Sequence, residues 1–296
     1  MPGWEEIQQQ ANECSEPHEL IIIKNEYCLK LSEYTKRNTI LYYSNFLSGR
    51  DGDLSITDKD MTGFMNAVHK CDKSKGLDLI LHTPGGSPTA AESIVKYLKK
   101  MFNNDIRVIV PHMAMSAGTM ISCSAKEIIM ANHSSLGPID PQLSGIPAYN
   151  IKAEFEDAET DLQDYPEKAQ FWAIRLQQYP AAFLKAAIDA IELSSVLIKE
   201  WLGDSMYQTG IDDKKIAQIV ESLNEHDVSL VHDRHYDIDK CKDIGLKVSQ
   251  LEMDSKLQDH VLSVHHSTLI AMDKLNIAKL IGNEEYAVYS FFGTIA

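Results

Sequence analysis

Two short apolar runs, Leu77–Leu81 and Ile106–Val110, most constrain what this chain can become. Each is long enough for one buried strand and too short for a helix. Each ends on a hard break, Thr83-Pro84-Gly85-Gly86 after the first and Pro111 after the second. Between them Val95, Leu98, Met101 and Phe102 recur at helical spacing. Upstream, Asn38–Leu47 is rich in β-formers and reads as another strand. It is followed by a helix with Thr57 as N-cap, Asp60 three residues on, and Met61, Phe64, Met65, Val68 and Cys71 on one buried face. Strand, helix, strand, helix, strand in succession is the signature of a parallel sheet with right-handed crossovers. The fold class is therefore α/β, a mostly parallel sheet of βαβ units.

Beyond this core the pattern predicts a third helix over Met115–Ala125, a strand at Ile128–Met130, and helices across 152–202 carrying Phe171, Ile174, Leu176, Phe183, Leu184, Ala187 and Ile191. A helix over Asp212–Leu223, a strand near Val228–Val231, a short helix ending at Gly245 and a long helix over Leu257–Leu275 complete a mainly helical C-terminal part. Before Leu20 the composition is polar, so residues 1–35 read as a peripheral N-terminal arm and 36–296 as one domain.

Composition narrows the function. With 28 Lys+Arg against 43 Asp+Glu the net charge is −15, which argues against nucleic acid or an anionic membrane as a partner. The five cysteines are scattered and never form a CxxC pair, which suits a reducing compartment and argues against a zinc site. Met1-Pro2-Gly3-Trp4 opens no signal peptide, and no apolar run approaches the ~20 residues of a membrane span. The expectation is a cytoplasmic protein with no membrane span.

Two motifs carry chemistry. Gly85-Gly86, directly after a strand, lets the backbone turn with N–H groups outward, where they can hold an oxyanion; taken alone it is equally a tight turn. Ala114-Met115-Ser116-Ala117-Gly118-Thr119 opens a helix of small residues, and Ser116 at its start is either a cap or a nucleophile in the field of the helix dipole. Both motifs follow consecutive parallel strands, at the sheet edge where ligands bind. One loop then offers donors and the other a hydroxyl, the layout acyl transfer needs. A third loop, Leu136-Gly137-Pro138-Ile139-Asp140-Pro141-Gln142, is rigid, and Asp140 in it is either a wall residue or a participant. His82 and His112 flank the site at strand ends and read as wall residues. His232 and His235 have metal-like spacing without a completing ligand set, and His265-His266 point to different helix faces, so no metal is expected.

Thr-Pro-Gly-Gly, then Met-Ser-Ala-Gly-Thr about thirty residues later, then Leu-Gly-Pro-Ile-Asp-Pro-Gln, resembles the serine dehydrogenase proteinase family. That family belongs with signal peptide peptidase A and the Clp proteolytic subunit in the Clp/crotonase superfamily. The likeness is close over Arg37–Leu143 and looser to His232-Asp233-Arg234-His235 and Lys242–Val248. It implies a Clp/crotonase-like fold and a serine peptidase acting on peptides or unfolded protein through an acyl-enzyme. It implies Ser116 as nucleophile, the N–H groups of Gly85 and Ala117 as oxyanion hole, and Gly86 as the point of close substrate approach. The Clp subunit uses a His–Asp pair, but at that spacing this chain has Asp140 and no histidine. Signal peptide peptidases use a lysine instead, which desolvation can make basic enough. Lys168 lies nearest that spacing, with Lys152 the alternate. No cofactor is implied, and members of the superfamily form homo-oligomers. The alternatives are a crotonase-type enzyme on acyl-thioesters and an inactive scaffold that kept the fold.

Overall fold

The computed structural model describes residues 3–49, 52–208, 213–224, 234–285 and 288–292. The helices are α1 (Trp4–Glu13), α2 (Pro17–Thr35), α3 (Asp60–His69), α4 (Pro88–Phe102), α5 (Ala117–Cys123), α6 (Ala148–Asp164), α7 (Ala169–Leu176), α8 (Phe183–Trp201), α9 (Asp213–Asn224), α10 (Ile238–Ile244) and α11 (Ser255–Leu275). The strands are β1 (Asn38–Ser44), β2 (Leu77–His82), β3 (Ile106–Val110), β4 (Met113–Ala114), β5 (Glu127–Met130), β6 (Ser135–Leu136), β7 (Gln142–Leu143), β8 (Ile146–Pro147), β9 (Val248–Gln250), β10 (Ile277–Asn283) and β11 (Val288–Phe292). The main sheet runs β11-β10-β1-β2-β3-β5-β9, parallel from β1 to β9, with β10 and β11 antiparallel along one edge.

Both faces of the sheet are covered, and the strand residues divide by parity, as the two-residue pleat demands. Ile40, Tyr42, Leu79, Leu81, Val108 and Val110 enter the larger core with α3, α4 and α5. Leu41, Tyr43, Ile80, Ile109 and Ile129 enter the second core with α1, α2 and α11. The stretch read as an N-terminal arm forms α1 and α2, and α2 lies along α11, burying Leu20, Tyr27, Cys28 and Leu31. Helix α10 ends on Gly245 at φ 109°, a left-handed cap that a side chain would strain.

Several elements differ from expectation. The helix after Ser55 starts at Asp60, whose carboxylate accepts the Thr57 N–H at 2.9 Å, so the capping contact forms just ahead of the helix. Met65 is 55% exposed, because the buried stripe of α3 is narrower than its apolar periodicity. The serine helix covers only Ala117–Cys123, since Met113–Ala114 before it is drawn into a strand beside β6. Phe171 and Ile174 face outward, 58% and 60% exposed, on a lobe of α6–α8 whose own core is Ala148, Ile151 and Ala187. Strands β10 and β11 are additions to the elements expected from the pattern. The strand expected near Val228–Val231, together with His232 and Asp233, lies outside the described residues.

Candidate active site

Strands β2 and β3 are adjacent and parallel, so the loops leaving their C-terminal ends meet. Thr83 and Met115 are stitched together there: Thr83 N–H donates to the Met113 carbonyl and Met115 N–H to the Thr83 carbonyl, each at 3.0 Å. This brings Gly85 onto the serine turn. A Cβ on Gly85 would sit 2.6 Å from the Met115 carbonyl oxygen and 2.7 Å from Ser116 Cβ, so only glycine admits the approach.

Ser116 itself has φ 51° and ψ −116°, outside the helix that begins at the next residue. A non-glycine residue is held there only when its surroundings over-determine it, and such residues cluster at active sites. The turn is braced from behind by Thr119. Its Oγ1 lies 2.9 Å from the Ala114 and Gly137 carbonyl oxygens and accepts the Gly137 N–H at 3.0 Å, tying the serine turn to the Leu136–Gln142 loop.

The glycine loop has two edges. On one, Ile56 N–H donates to the Gly85 carbonyl (2.8 Å) and Ser87 N–H to the Ile56 carbonyl (2.9 Å), a parallel bridge across Gly86. In such a bridge the central residue's own N–H and C=O point the other way, so those of Gly86 point away from Ile56. Gly85 N–H is taken by Thr83 Oγ1 at 3.1 Å. Ala117 N–H is the first of α5 and belongs to the donors a helix cannot satisfy internally. Of the three residues expected around an oxyanion, Gly86 and Ala117 therefore keep N–H groups to offer, and Gly85 supplies the turn.

A cleft of about 390 Å³ opens here, lined by Gly85, Gly86 and Ser116 with Pro84, Met120, Ile139, Pro141, Leu143 and Leu193 as its apolar wall. Ser55, Thr89 and Gln142 add polarity, and among the described residues no charged side chain lines it. Ser116 and the two glycines are thus brought together, and neither lysine joins them. Lys168 pairs with Asp161 at 2.8 Å and lies over the Tyr165 ring. The Asp161 hydrogen bond pushes its pKa upward, the reverse of what a neutral amine base needs. Lys152 pairs with Glu156 at 3.5 Å on the exposed side of α6. Asp140 is buried beneath the cleft, near Tyr149, whose hydroxyl is pushed up to about 12 by burial and then by the Asp140 charge.

His82, His112 and His265 gather on the opposite face of the sheet. His82 is stacked near His112 (ring centroids 5.5 Å apart) and meets His265 of α11 edge-on at 5.4 Å. Tyr43 Oη lies 3.2 Å from His265 Nδ1. Burial, then the neighbouring His112, pushes His82 down to about 3, and burial drives His265 well below its ordinary value. His235 is engaged by Ser135 at 2.8 Å. Among the described residues no group of three His, Cys, Asp or Glu is placed to hold a metal, and no helix is long and apolar enough to cross a membrane.

A family model described as ClpP-like SDH-type serine proteinase matches residues 54–261, which span both loops and the serine helix. An uncharacterized protein of Methanocaldococcus jannaschii is 45% identical over 109 residues, 37% of this chain and 38% of that protein. A second uncharacterized protein from the same organism is 29% identical over 194 residues, 66% of this chain and 59% of that protein. The chain thus spans less than two thirds of either relative.

Proposed function

Because this chain belongs to the ClpP-like SDH-type serine proteinase family, we propose that it is a serine peptidase cleaving peptide bonds through an acyl-enzyme on Ser116. The observation that carries the reading is Ser116 in its left-handed turn, packed against the Gly85-Gly86 loop at the start of α5. A substrate strand adds along the free edge of that loop, its backbone pairing with Gly86 while Ile56 holds the other edge. Ser116 Oγ attacks the scissile carbonyl. The oxyanion that forms is held by the N–H groups of Gly86 and Ala117. The amine leaves with a proton, and water then resolves the ester.

The base is a lysine from the α6–α8 lobe, Lys168 first and Lys152 second. Its delivery requires the Lys168–Asp161 pair to open, and an ion pair this open to solvent holds only weakly. Desolvation in the closed cleft then lowers the amine's pKa. A lobe with so small a core of its own is suited to such a shift.

A fluorophosphonate probe tests the nucleophile directly. The expected result is one adduct by intact mass, mapped to Ser116 by fragmentation. The apolar cleft further predicts faster turnover of peptides with Leu or Met before the scissile bond than with Asp or Lys, by ~10-fold or more. No adduct on folded protein would turn the reading to an inactive scaffold, and a gain from coenzyme A thioesters would favour the crotonase-type alternative. The chain works in the cytoplasm as a homo-oligomer, on this reading, with the exposed Ile146, Phe171 and Ile174 as its contact. Sedimentation velocity would show a monomer at micromolar concentration were that contact idle.

A further inference from the structure

Lys279 has no place in the chemistry above, yet it is fully buried and reaches from β10, outside the family match, to the Ser55–Asp60 segment. Its Nζ lies 2.6 Å from Asp60 Oδ1, while its aligned hydrogen bond goes to the Ser55 carbonyl at 2.8 Å. The other Asp60 oxygen accepts from Tyr42 Oη (2.8 Å) and from Thr57 N–H (2.9 Å). Ser44 Oγ donates to the Leu54 carbonyl at 2.7 Å. Together these bonds fix the backbone of 54–57. That segment is the one whose Ile56 pairs with Gly85 and Ser87 and so decides where the N–H of Gly86 points.

A buried ion pair contributes little net stability against an apolar pair of similar volume, so stability alone does not account for it. We propose that the Lys279–Asp60 pair is a positioning device: it holds Ser55–Ile56 as a rigid rail and thereby aligns the Gly86 donor on the oxyanion of the reaction at Ser116. Neither residue touches substrate. The inference rests on the Ser116 reading for its catalytic consequence, but the alignment of the loop can be measured without any activity.

Removing one partner alone leaves a buried charge and threatens folding. The informative variant is therefore Lys279→Met combined with Asp60→Asn. The new amide keeps an acceptor oxygen for Tyr42 and Thr57, the new thioether chain fills the lysine's volume, and the Ser55 carbonyl loses its donor. Leu31→Ala, a cavity variant on the α2 face, serves as a stability control. In the double variant the amides of Ile56 and Ser87 should exchange hydrogen ~10-fold faster or more, with those of Val108 and Ile109 unchanged. Fluorophosphonate inactivation should slow ~30-fold in its maximal rate, with the apparent probe affinity within ~3-fold of wild type. Leu31→Ala should keep the wild-type maximal rate at a comparable loss of melting temperature. Unchanged protection of Ile56 and Ser87 overturns the proposal whatever the activity. So does a folded double variant that labels at the wild-type rate, or an equal slowing in Leu31→Ala. If wild-type protein takes no adduct while the exchange result stands, the peptidase reading fails and the rail does not.

Discussion

Ser116→Gly is expected to lose turnover by ~10³-fold or more and at the same time to melt higher than wild type. On the proposed mechanism the first half follows from deleting the attacking hydroxyl; what activity remains comes from binding and the remaining N–H donors. The second half follows from the backbone. Serine at φ 51° and ψ −116° sits where L side chains are strained and glycine is not. Strain of this kind costs ~1–3 kcal/mol, and the extra freedom of glycine in the unfolded chain returns ~0.5–1 kcal/mol of that. A net gain of ~1 kcal/mol raises the melting temperature of a chain this long by a few degrees. Ser116→Ala is the necessary companion, since it loses the hydroxyl and keeps the strain. Thermal melts of the three proteins beside an ester hydrolysis assay decide the matter. If the glycine variant is no more stable than the alanine variant, the turn stores no strain at Ser116. If either variant keeps its turnover, the nucleophile lies elsewhere.

The part of this site that can be read from sequence is the part encoded by neighbours. Thr83-Pro84-Gly85-Gly86 and Met115-Ser116-Ala117-Gly118 each combine a strand end with residues whose backbone needs are specific, so loop and serine turn are visible one after the other. The brace and the rail are not. Ile277–Asn283 is fully buried yet contains Lys279 and Asn283, and a hydropathy pattern has no way to distinguish a buried charge awaiting its partner from a solvated one. Asp60, read as a helix-start residue, serves Tyr42, Thr57 and Lys279 together. Ile56 carries no signal, because its role lies in its backbone. Phe171 and Ile174 keep helical spacing while facing outward, which periodicity alone cannot reveal. The lysine candidates are chosen by distance along the chain, and the fold sets that distance in a lobe whose contacts with the sheet are few.

Acidification from about pH 6.5 to about pH 4.5 is expected to cost this protein ~2 kcal/mol of stability through His82, with other buried imidazoles adding in the same direction. His82 carries the clearest case: burial and the neighbouring His112 lower it from 6.5 to about 3, against a smaller upward pull from the Met113 backbone. His265 and His112 are lowered chiefly by burial too, and the charges acting on them are other imidazoles: His82, His266, His112 and His133 on His265, and His133 and His235 on His112. Tyr43 from β1 and Phe46 pack against the His82 ring. The folded pKa values lie below those of the unfolded chain, so as pH falls the unfolded state takes up protons first. The stability these residues contribute is complete above about pH 6.5 and drains below it, at roughly 1 kcal/mol per pH unit for His82. Carboxylates held low by hydrogen bonds, such as Asp72 beside Ser74, add their own loss only toward the acid end of this range, while Glu284, raised by burial, works against it, so the histidines set the sign of the slope. Urea unfolding at about pH 7.5, 6 and 5 measures the slope. His82→Phe should flatten it, since a ring of similar size fills the space between Phe46 and His112 without a proton to refuse. A wild-type slope near zero across that range would mean the cluster opens to water at little cost. An undiminished slope in His82→Phe would move the effect to His265 and His112. Because His82 directly precedes the Thr83-Pro84-Gly85-Gly86 loop, the same protonation that loosens the cluster also loosens that loop.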